Sequence, residues 1–538
     1  MSKEYSFSVM PSVSISRSRF ARKSQHKTSF DLGQIIPIYV DEVLPGDTRS
    51  IDMASIVRMS TPIAPIMDNI YIDYFAFFVP NRIVWDHWKE FMGENSVSAG
   101  IPSNTYVIPY LTSEDNSVNF GTISYGHYMG LPAGVDLSSV YEKISCLPFR
   151  GLAKIYNRWF RNQNIIAPLA VQTGDTNEVL VGEFSDGYPV FATDSSSVLL
   201  ASKLPDYFVS SLPYAQKGQA VSIPIGTTAP VGIMTAQTSA QTITDLAYSI
   251  GQSTIKASDG FKQVQVGATG GTGLPVWVAD LSNATAATIN QLRYAFQLQK
   301  FLEKDCNGSR YWEILSNHFG IQAPDATLQD PEYLGGFRQN INIDQVLSTA
   351  GYSNTSSTTV GAPGANSVTS GKNSIFTKSF VEHGYIFILA VARHDQTYSQ
   401  GINRMWTRAS RYDFYFPVFA NLGAQDVKVR EIYAQGNATD NTLFGYQEAW
   451  AEYRYKPSIS SGYLDPNVNN SLDFWTLTNK FASRPTLGQT FIEQGRGNIK
   501  RALVTGEDGP DFIADFYFRD IAVRPMPVYS IPGLIDHH

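Results

Sequence analysis

Residues 69–79, NIYIDYFAFFV, form the stretch of the sequence that decides the fold class. Aromatic and β-branched residues make up most of this run, and both kinds are enriched in strands because they pack well on a pleated surface. Proline and asparagine at positions 80 and 81 follow it and give a turn signal. The stretch therefore predicts a β-strand that lies buried in a sheet.

Similar runs recur along the chain between other elements. We predict further strands at residues 34–44, 50–59, 380–393, 412–418 and 511–518. Apolar residues at helical spacing predict helices at residues 82–92, 148–164, 286–304, 309–319 and 444–455. The strands do not alternate regularly with helices, as they would in a parallel sheet. The pattern favours a mainly β protein, an antiparallel barrel or sandwich with large inserted loops and several short helices, for which an eight-stranded jelly roll is the first candidate.

Two stretches of the chain are unusually poor in charge. Between Lys217 and Arg293 the charged residues are Asp245, Lys256, Asp259, Lys262 and Asp280, and residues 348–371 carry no charge. Segments rich in Ser, Thr, Ala and Gly cannot supply a dense core of their own. We therefore expect a surface insertion from Gly218 to Ala284, with a tip near Gly270 and Gly271, and a second surface loop at residues 348–371.

These patterns divide the chain into four segments. Residues 1–30 are predicted to form a basic N-terminal arm, which is polar and Ser-rich and should be mobile or ordered by a partner. Residues 31–217 form the first part of a jelly-roll core with inserted helices, and residues 218–284 form the surface insertion. Residues 285–538 form the second part of the core and end in a Pro-rich tail, which should run extended because proline breaks helices.

The N-terminal arm carries the clearest chemical signal in the sequence. No acid occurs between Glu4 and Asp31, and this interval holds a cluster formed by Arg17, Arg19, Phe20, Arg22, Lys23 and Lys27. Such cations neutralise phosphates without reading sequence, and Phe20 could stack on a base. A solvated, disordered leader explains the same residues equally well. The net charge of −7 argues against wholesale coating of nucleic acid.

The composition bears on partners and on compartment. Charged residues make up only 17% of the chain and aromatic residues 13%. This balance suits extensive subunit contacts, since interface cores favour aromatic residues, although a large ordinary core would also explain it. Cys146 and Cys306 lie far apart and give no disulfide or zinc pattern, so we expect folding in a reducing cytoplasm. The apolar run at residues 385–392 is too short to span a bilayer, and we expect no membrane insertion.

Motifs of catalysis are missing from the sequence. It contains no HExxH, GxSxG or P-loop pattern, and the Gly-rich run at residues 267–273 lacks the lysine of a phosphate loop. The neighbouring pairs Glu382-His383 and His394-Asp395 fit core or interface positions better than an acid/base role. We therefore expect no catalytic residue, no cofactor and no metal site. The alternative from another class is a β-rich carbohydrate-active enzyme or lectin, which also has aromatic residues and long loops.

Several blocks resemble a known family. They are TPIAP at residues 61–65, DYFAFFVPNR at 73–82, LPFRGL at 147–152, YNRWFRNQ at 156–163, GYQEAWAEYRYKP at 445–457 and RDIAVRPMPVYSIPG at 519–533. These blocks resemble the major capsid proteins of the microviruses, and the gokushovirus branch most closely. They span nearly the whole chain and are rich in uncommon residues, so the resemblance is specific.

The resemblance implies a structural protein with an eight-stranded viral jelly roll. It implies about sixty copies in a closed T=1 icosahedral shell around circular single-stranded DNA. It also implies assembly in the bacterial host cytoplasm with an internal scaffolding protein, a DNA pilot protein and a small basic DNA-binding protein. In this branch an insertion in the capsid protein projects at the threefold axes, and we assign residues 218–284 to that protrusion and to contact with a bacterial surface receptor.

Overall fold

The computed structural model describes fifteen stretches of the chain and divides it into two units. The described residues are 15–94, 106–113, 120–137, 144–180, 198–219, 221, 231–234, 276–279, 289–306, 308, 310–347, 349, 361, 363–506 and 509–529. The first unit comprises residues 1–215 and 308–538, and the second comprises residues 216–307. Among the described helices, none combines the length and the hydropathy that crossing a membrane requires.

Eight long strands form the framework of the first unit. They are β1 (Ser18–Phe30), β2 (Ile35–Val43), β3 (Thr48–Met59), β4 (Ile70–Pro80), β5 (Glu332–Asn340), β6 (Val368–Ser379), β7 (Gly384–His394) and β8 (Phe512–Arg524). They make two four-stranded antiparallel sheets with the orders β1-β8-β3-β6 and β2-β7-β4-β5. The prediction of a mainly β protein with antiparallel sheets is confirmed, while neither of these described sheets closes on itself into a barrel.

The two sheets pack face to face through aromatic side chains. Tyr74 on β4 meets Phe516 on β8 edge-on, with ring centroids 6.0 Å apart, and Tyr39 on β2 lies 4.9 Å from Phe518 on β8. Burial alternates along β8, as the period of a strand requires, whereas β4 is buried at nearly every position. The shared interior of the two sheets is thus the main hydrophobic core.

The strand β7 is buried on both faces, which explains its unbroken apolar sequence. Residues 386–392 are all buried, and β7 lies between β2 and β4 in its sheet. The helix Leu147–Ile155 covers the outer face, where a Cβ atom at Gly151 would lie 3.2 Å from the ring of Phe387. A strand in this position needs apolar residues at every place and not only at alternate ones.

A buried charge cluster also joins the sheets. The side chain of Arg49 on β3 is fully buried, and its Nη2 lies 2.5 Å from both the Asp520 carboxylate on β8 and the Asp41 carboxylate on β2. The same nitrogen donates to the hydroxyl of Tyr39 at 2.9 Å. A buried cation of this kind is tolerated only because carboxylates and hydrogen bonds surround it.

Short elements fill the connections of the first unit. Its α-helices are Asn81–Val84, Trp88–Phe91, Tyr125–Tyr128, Leu147–Ile155, Tyr311–Phe319, Asp325–Leu328, Val429–Ile432, Gln489–Ile492 and Gly497–Lys500, and a π-helix follows at Tyr156–Phe160. Short strand pairs join Leu111–Ser113 with Glu178–Leu180, Asp344–Leu347 with Pro363–Asn366, Thr397–Tyr398 with Ser458–Ile459, and Ala424–Lys428 with Leu443–Glu448. Single 3₁₀ turns lie at Arg404–Thr407, Arg411–Asp413, Pro417–Phe419, Ala438–Asn441, Ala451–Tyr453, Gly462–Leu464 and Asp473–Trp475.

The second unit contains one described strand pair and one helix. Val231–Met234 pairs antiparallel with Val276–Ala279, and the helix spans Ile289–Cys306. The sequence had placed this helix in the second part of the core, whereas the structure assigns it to the second unit.

Several sequence predictions need correction. Residues from Ser18 onward are not a separate arm, because they form β1 and pair with β8 along its whole length. The loop predicted for residues 348–371 is too long, since Pro363–Asn366 and the first residues of β6 lie in strands. The outer faces of these strands are exposed to solvent, so their sequences are polar and do not look like strands.

Two predicted elements have the wrong type. Residues 412–418 form no strand: 412 and 413 end one 3₁₀ turn, and 417 and 418 begin another. Pro417 has no N–H to donate to a ladder. Residues 444–455 are not a helix but a short strand followed by a turn. Trp450 adopts a positive φ of 66° there, which no α-helix accepts.

The Arg49 cluster gives a direct test of how the sheets hold together. Replacing Arg49 by Leu leaves Asp520 and Asp41 without their buried partner, so we expect the free energy of unfolding to fall by about 3 to 5 kcal/mol. Urea denaturation of the full-length subunit measures this loss. Arg22→Gln is the matched control, because Arg22 pairs with the same carboxylates from a partly exposed position and should cost less than about 1 kcal/mol. Equal losses for the two variants would contradict this account.

Candidate functional site

The exposed face of the sheet β1-β8-β3-β6 collects cationic side chains. Residues of β1 alternate between the two faces, and Arg19, Lys23 and Lys27 share the exposed one. Lys23 lies directly opposite Arg519 of β8, which is also exposed. We call this surface the basic face.

The structure separates the six residues that the sequence grouped together. Arg17 is exposed just before β1, and Arg19, Lys23 and Lys27 lie on the basic face. Phe20 and Arg22 alternate with them and occupy the opposite face. There the Nη2 of Arg22 lies 2.7 Å from the Asp41 carboxylate on the other sheet.

Other strands add residues to the basic face that sequence reasoning missed. Arg58 on β3, Lys372 on β6 and Arg519 on β8 supply further exposed cations, and Tyr517 on β8 supplies an exposed aromatic ring. The alternation within residues 512–524 could have placed Tyr517 and Arg519 on one face. Only the strand register, however, shows that this face continues the basic side of β1.

The acids on this face are few and partly engaged. Asp515 accepts hydrogen bonds from the Nε2 of Gln25 at 2.8 and 2.6 Å, and Asp52 lies opposite Arg519 in the register. Positive charge therefore dominates the face although the whole chain is acidic. A surface of this kind attracts polyanions through charge and without sequence readout.

A second surface consists of large apolar side chains that the described part of the chain leaves uncovered. Val418 is 88% exposed and Trp406 is 75% exposed. We call this surface the aromatic surface; its members are Ile402, Met405, Trp406, Tyr412, Phe414, Tyr415, Phe416, Val418, Leu422, Tyr453 and Tyr455. Large exposed apolar patches are rare on monomeric proteins and mark interaction sites.

The backbone beneath the aromatic surface is anchored at several points. The Nη2 of Arg404 lies 2.7 Å from the Glu431 carboxylate, and Trp450 donates its indole N–H to the carbonyl of Phe419 at 2.9 Å. Burial opposes the charge of Arg404, but the pairing with Glu431 outweighs it and raises the pKa of the guanidinium. Backbone N–H groups of residues 410 and 409 lower the pKa of Asp413. The exposed rings are thus displayed on a fixed scaffold.

The predicted host-attachment loop falls in the second unit. Of the residues from Gly218 to Ala284, the structure describes 218, 219, 221, 231–234 and 276–279, and the expected tip at Gly270 and Gly271 lies outside the described residues. Met234 lies opposite Val276 in the strand pair, so the chain leaves and returns at adjacent positions.

The histidines that the sequence analysis weighed for catalysis, and the cysteine that it weighed for a disulfide or zinc site, lie in ordinary structural environments. His394 is fully buried, and burial lowers its pKa to about 4, so the ring is neutral at pH 7. His383 packs against the ring of Trp88, and burial raises the pKa of the Cys146 thiol to about 12. In the part of the chain that the structure describes, no group of three or more His, Cys, Asp or Glu side chains could hold a metal ion.

Comparison with known proteins decides the family. A model of the family described as "Capsid protein (F protein)" matches residues 8–534. The chain belongs to this capsid protein family. Its relatives include the capsid protein VP1 of Bdellovibrio phage phiMH2K, which is 39% identical over 98% of both chains. VP1 of Chlamydia phage 1 is 38% identical and VP1 of Spiroplasma virus 4 is 36% identical, each over 98% of this chain and 97% of its own.

Membership in the capsid protein family confirms the resemblance seen in the sequence. The three relatives belong to microviruses of the gokushovirus type. The capsid protein is therefore a structural component of a virion that assembles with copies of itself, and not an enzyme. The alternative of a carbohydrate-active enzyme or lectin is set aside on this ground.

Proposed function

We propose that this capsid protein folds as an eight-stranded viral jelly roll and that about sixty copies form a T=1 shell around circular single-stranded DNA. The order of the strands carries the fold proposal. One sheet contains β1, β8, β3 and β6 and the other contains β2, β7, β4 and β5, so the chain crosses between the sheets at six of the seven connections between successive long strands. Two facing four-stranded sheets of this kind are the arrangement of a jelly roll.

The aromatic surface fits a contact with a second copy of the chain. Its charged neighbours include both signs, with Arg408 paired to Glu452 at 3.2 Å and Arg454 paired to Glu448 at 2.7 Å. A balanced surface with exposed rings suits a protein partner better than a polyanion, because interface cores are rich in aromatic residues. In a shell built from one repeated chain, that partner is another copy.

The basic face fits the inside of the shell. Its cations can neutralise phosphates of the packaged DNA. Arg19, Lys23 and Lys27 contribute to it from β1, and Arg17 lies exposed just before that strand. The net charge of −7 is too negative for this protein to neutralise a genome alone. A small basic DNA-binding protein would supply further cations.

The remaining partners follow from the same proposal. An internal scaffolding protein and a DNA pilot protein would act during assembly in the cytoplasm of the bacterial host. Residues 218–284 would project outward at the threefold axes and bind a bacterial surface receptor. The two ends of the insertion lie side by side, at Met234 and Val276. An insertion of this kind suits the role, because changes in its length leave the framework of strands intact.

Val418 tests the assembly contact. Val418→Asp places a charge among the exposed apolar side chains of the aromatic surface, so we expect the subunit to fold normally but to form at least about tenfold fewer shells. Sedimentation and electron microscopy of the protein produced with its neighbouring viral genes measure the yield. Val381→Asp is the control, since Val381 is also 88% exposed but lies in the turn between β6 and β7. Normal shell yield from Val418→Asp would refute the contact.

The alternation on β1 tests the DNA contact. The double change Lys23→Gln and Arg519→Gln should weaken binding of a single-stranded oligonucleotide about tenfold and lower the slope of log K against log salt by about 1.4. Fluorescence anisotropy with unassembled full-length subunits measures both quantities. Arg22→Gln removes a charge next to Lys23 in sequence but on the other face, and it should change neither. An effect of Arg22→Gln as large as that of the double change would show that the face does not matter.

The insertion offers a test of host attachment. Because Met234 and Val276 are adjacent, residues 235–275 can be replaced by a short Gly-Ser turn. We expect shells to form at normal yield, while attachment of the particles to host cells falls at least about tenfold. Loss of assembly would instead make the insertion part of the shell framework.

A further inference from the structure

A groove of about 710 Å³ lies at one end of the basic face. Its floor comes from the end of β1, the end of β3 and the start of β8, and residues 122–128 form one wall. The volume lies in the range of pockets that hold small organic ligands. Neither the sequence blocks nor the family match assigns a role to this groove.

The groove combines an apolar interior with a cationic rim. Ile56, Ile123 and Ile513 line it from three separate elements, and each remains more than a third exposed. Lys27 and Arg58 supply fixed positive charges at the same site. Three isoleucines from separate parts of the chain thus surround a space that the described residues leave unfilled.

The wall of the groove is held in place by local contacts. Tyr128 is buried and donates its hydroxyl to the carbonyl of Ser29 at 3.1 Å, which ties the short helix to β1. Ser124 caps this helix by accepting from the backbone N–H of His127. A Cβ atom at Gly126 would lie 2.3 Å from the ring of Phe120, so only glycine permits this packing. The groove is therefore preformed, which lowers the cost of binding.

The charge distribution points to the occupant. Asp515 is the acid that lines the groove, and it already accepts hydrogen bonds from Gln25. The isoleucines would add no binding energy for a free phosphate, and Lys27 and Arg58 would add none for an apolar molecule. A nucleotide unit needs both, because it joins a flat apolar base to a phosphate.

The basic face beyond the groove favours a strand over an isolated nucleotide. Lys23 and Arg519 face solvent two same-face positions further along the same strands, with Tyr517 between them and the groove. Charged grooves with aromatic platforms bind single strands without sequence preference. We propose that the groove holds one base of single-stranded DNA, whose flanking phosphates contact Lys27 and Arg58. This inference rests on the proposed function of the basic face.

Abasic DNA separates the contribution of the base from that of the phosphates. We would measure the binding of full-length, unassembled subunits to a thymidine oligonucleotide and to an abasic oligonucleotide of equal length and charge. The native protein should prefer the thymidine strand about five- to tenfold. Ile513→Ser should abolish this preference and leave the affinity for the abasic strand unchanged. Lys27→Gln should weaken the binding of both strands by the same factor.

A matched control lies on the same sheet. Val368 is exposed to a similar degree as Ile123 and pairs with Arg58 in the register, but it does not line the groove. Val368→Ser should therefore keep the full preference for thymidine. Equal midpoints of urea unfolding for the native protein and the variants would show that the substitutions change binding and not stability.

Other outcomes overturn the inference in distinguishable ways. If the native protein binds both strands equally, or if Ile513→Ser keeps the preference, the groove holds no base and the basic face still stands. If Lys23→Gln with Arg519→Gln also leaves binding unchanged, the proposed DNA contact itself is wrong. An acidic, apolar peptide that occupies the groove and resists displacement by the oligonucleotide would assign the groove to a protein partner.

Discussion

The antiparallel pairing of β1 with β8 is the constraint on which the basic face depends. It joins the first and last long strands over all thirteen residues of β1 and sets Lys23 opposite Arg519. A slip of one residue would turn every side chain of β1 to the other face. Arg22 would then leave Asp41, and Lys23 would enter the core side of the sheet. The ion pairs of the interior therefore fix which cations face outward.

The two proposed contact surfaces differ in their chemistry. The aromatic surface is apolar with balanced charges, which suits contact between copies of the chain. The basic face is cationic, and its few acids are partly engaged by neighbouring side chains, which suits contact with a polyanion. Both lie on rigid supports, one on a sheet and the other on a scaffold held by Arg404 and Trp450. Each surface can therefore be changed by mutation without disturbing the core.

The sequence predicted the central strands well and the edge strands poorly. β4, β7 and β8 have two neighbours each, and their apolar patterns follow from burial. β1, β5 and β6 lie at sheet edges, and their polar or Gly-containing sequences carry no strand signal. β2 is also an edge strand, but its apolar start is buried, and the sequence predicted it. Edge strands are often charged because charge discourages pairing with other chains. This is why β1 looked like an unstructured arm.

The sequence also could not show which single cations share the basic face. Clustering in sequence identified Arg19, Lys23 and Lys27, but it could not separate them from Arg22 without knowledge of the strand. Arg519 lies hundreds of residues from Lys23, and Arg58 lies hundreds of residues from Ile513, so only the strand register brings them together. The family, by contrast, was recognisable from the sequence because long blocks of uncommon residues carry it.

A cryo-electron microscopy reconstruction of DNA-filled particles tests the central claim most directly, namely that a jelly-roll shell turns its basic face to the genome. We expect the sheet β1-β8-β3-β6 on the inner side of the shell, with nucleic-acid density against Lys23 and Arg519. A shell whose basic face points outward, or whose inner surface is formed by other elements, would contradict the account.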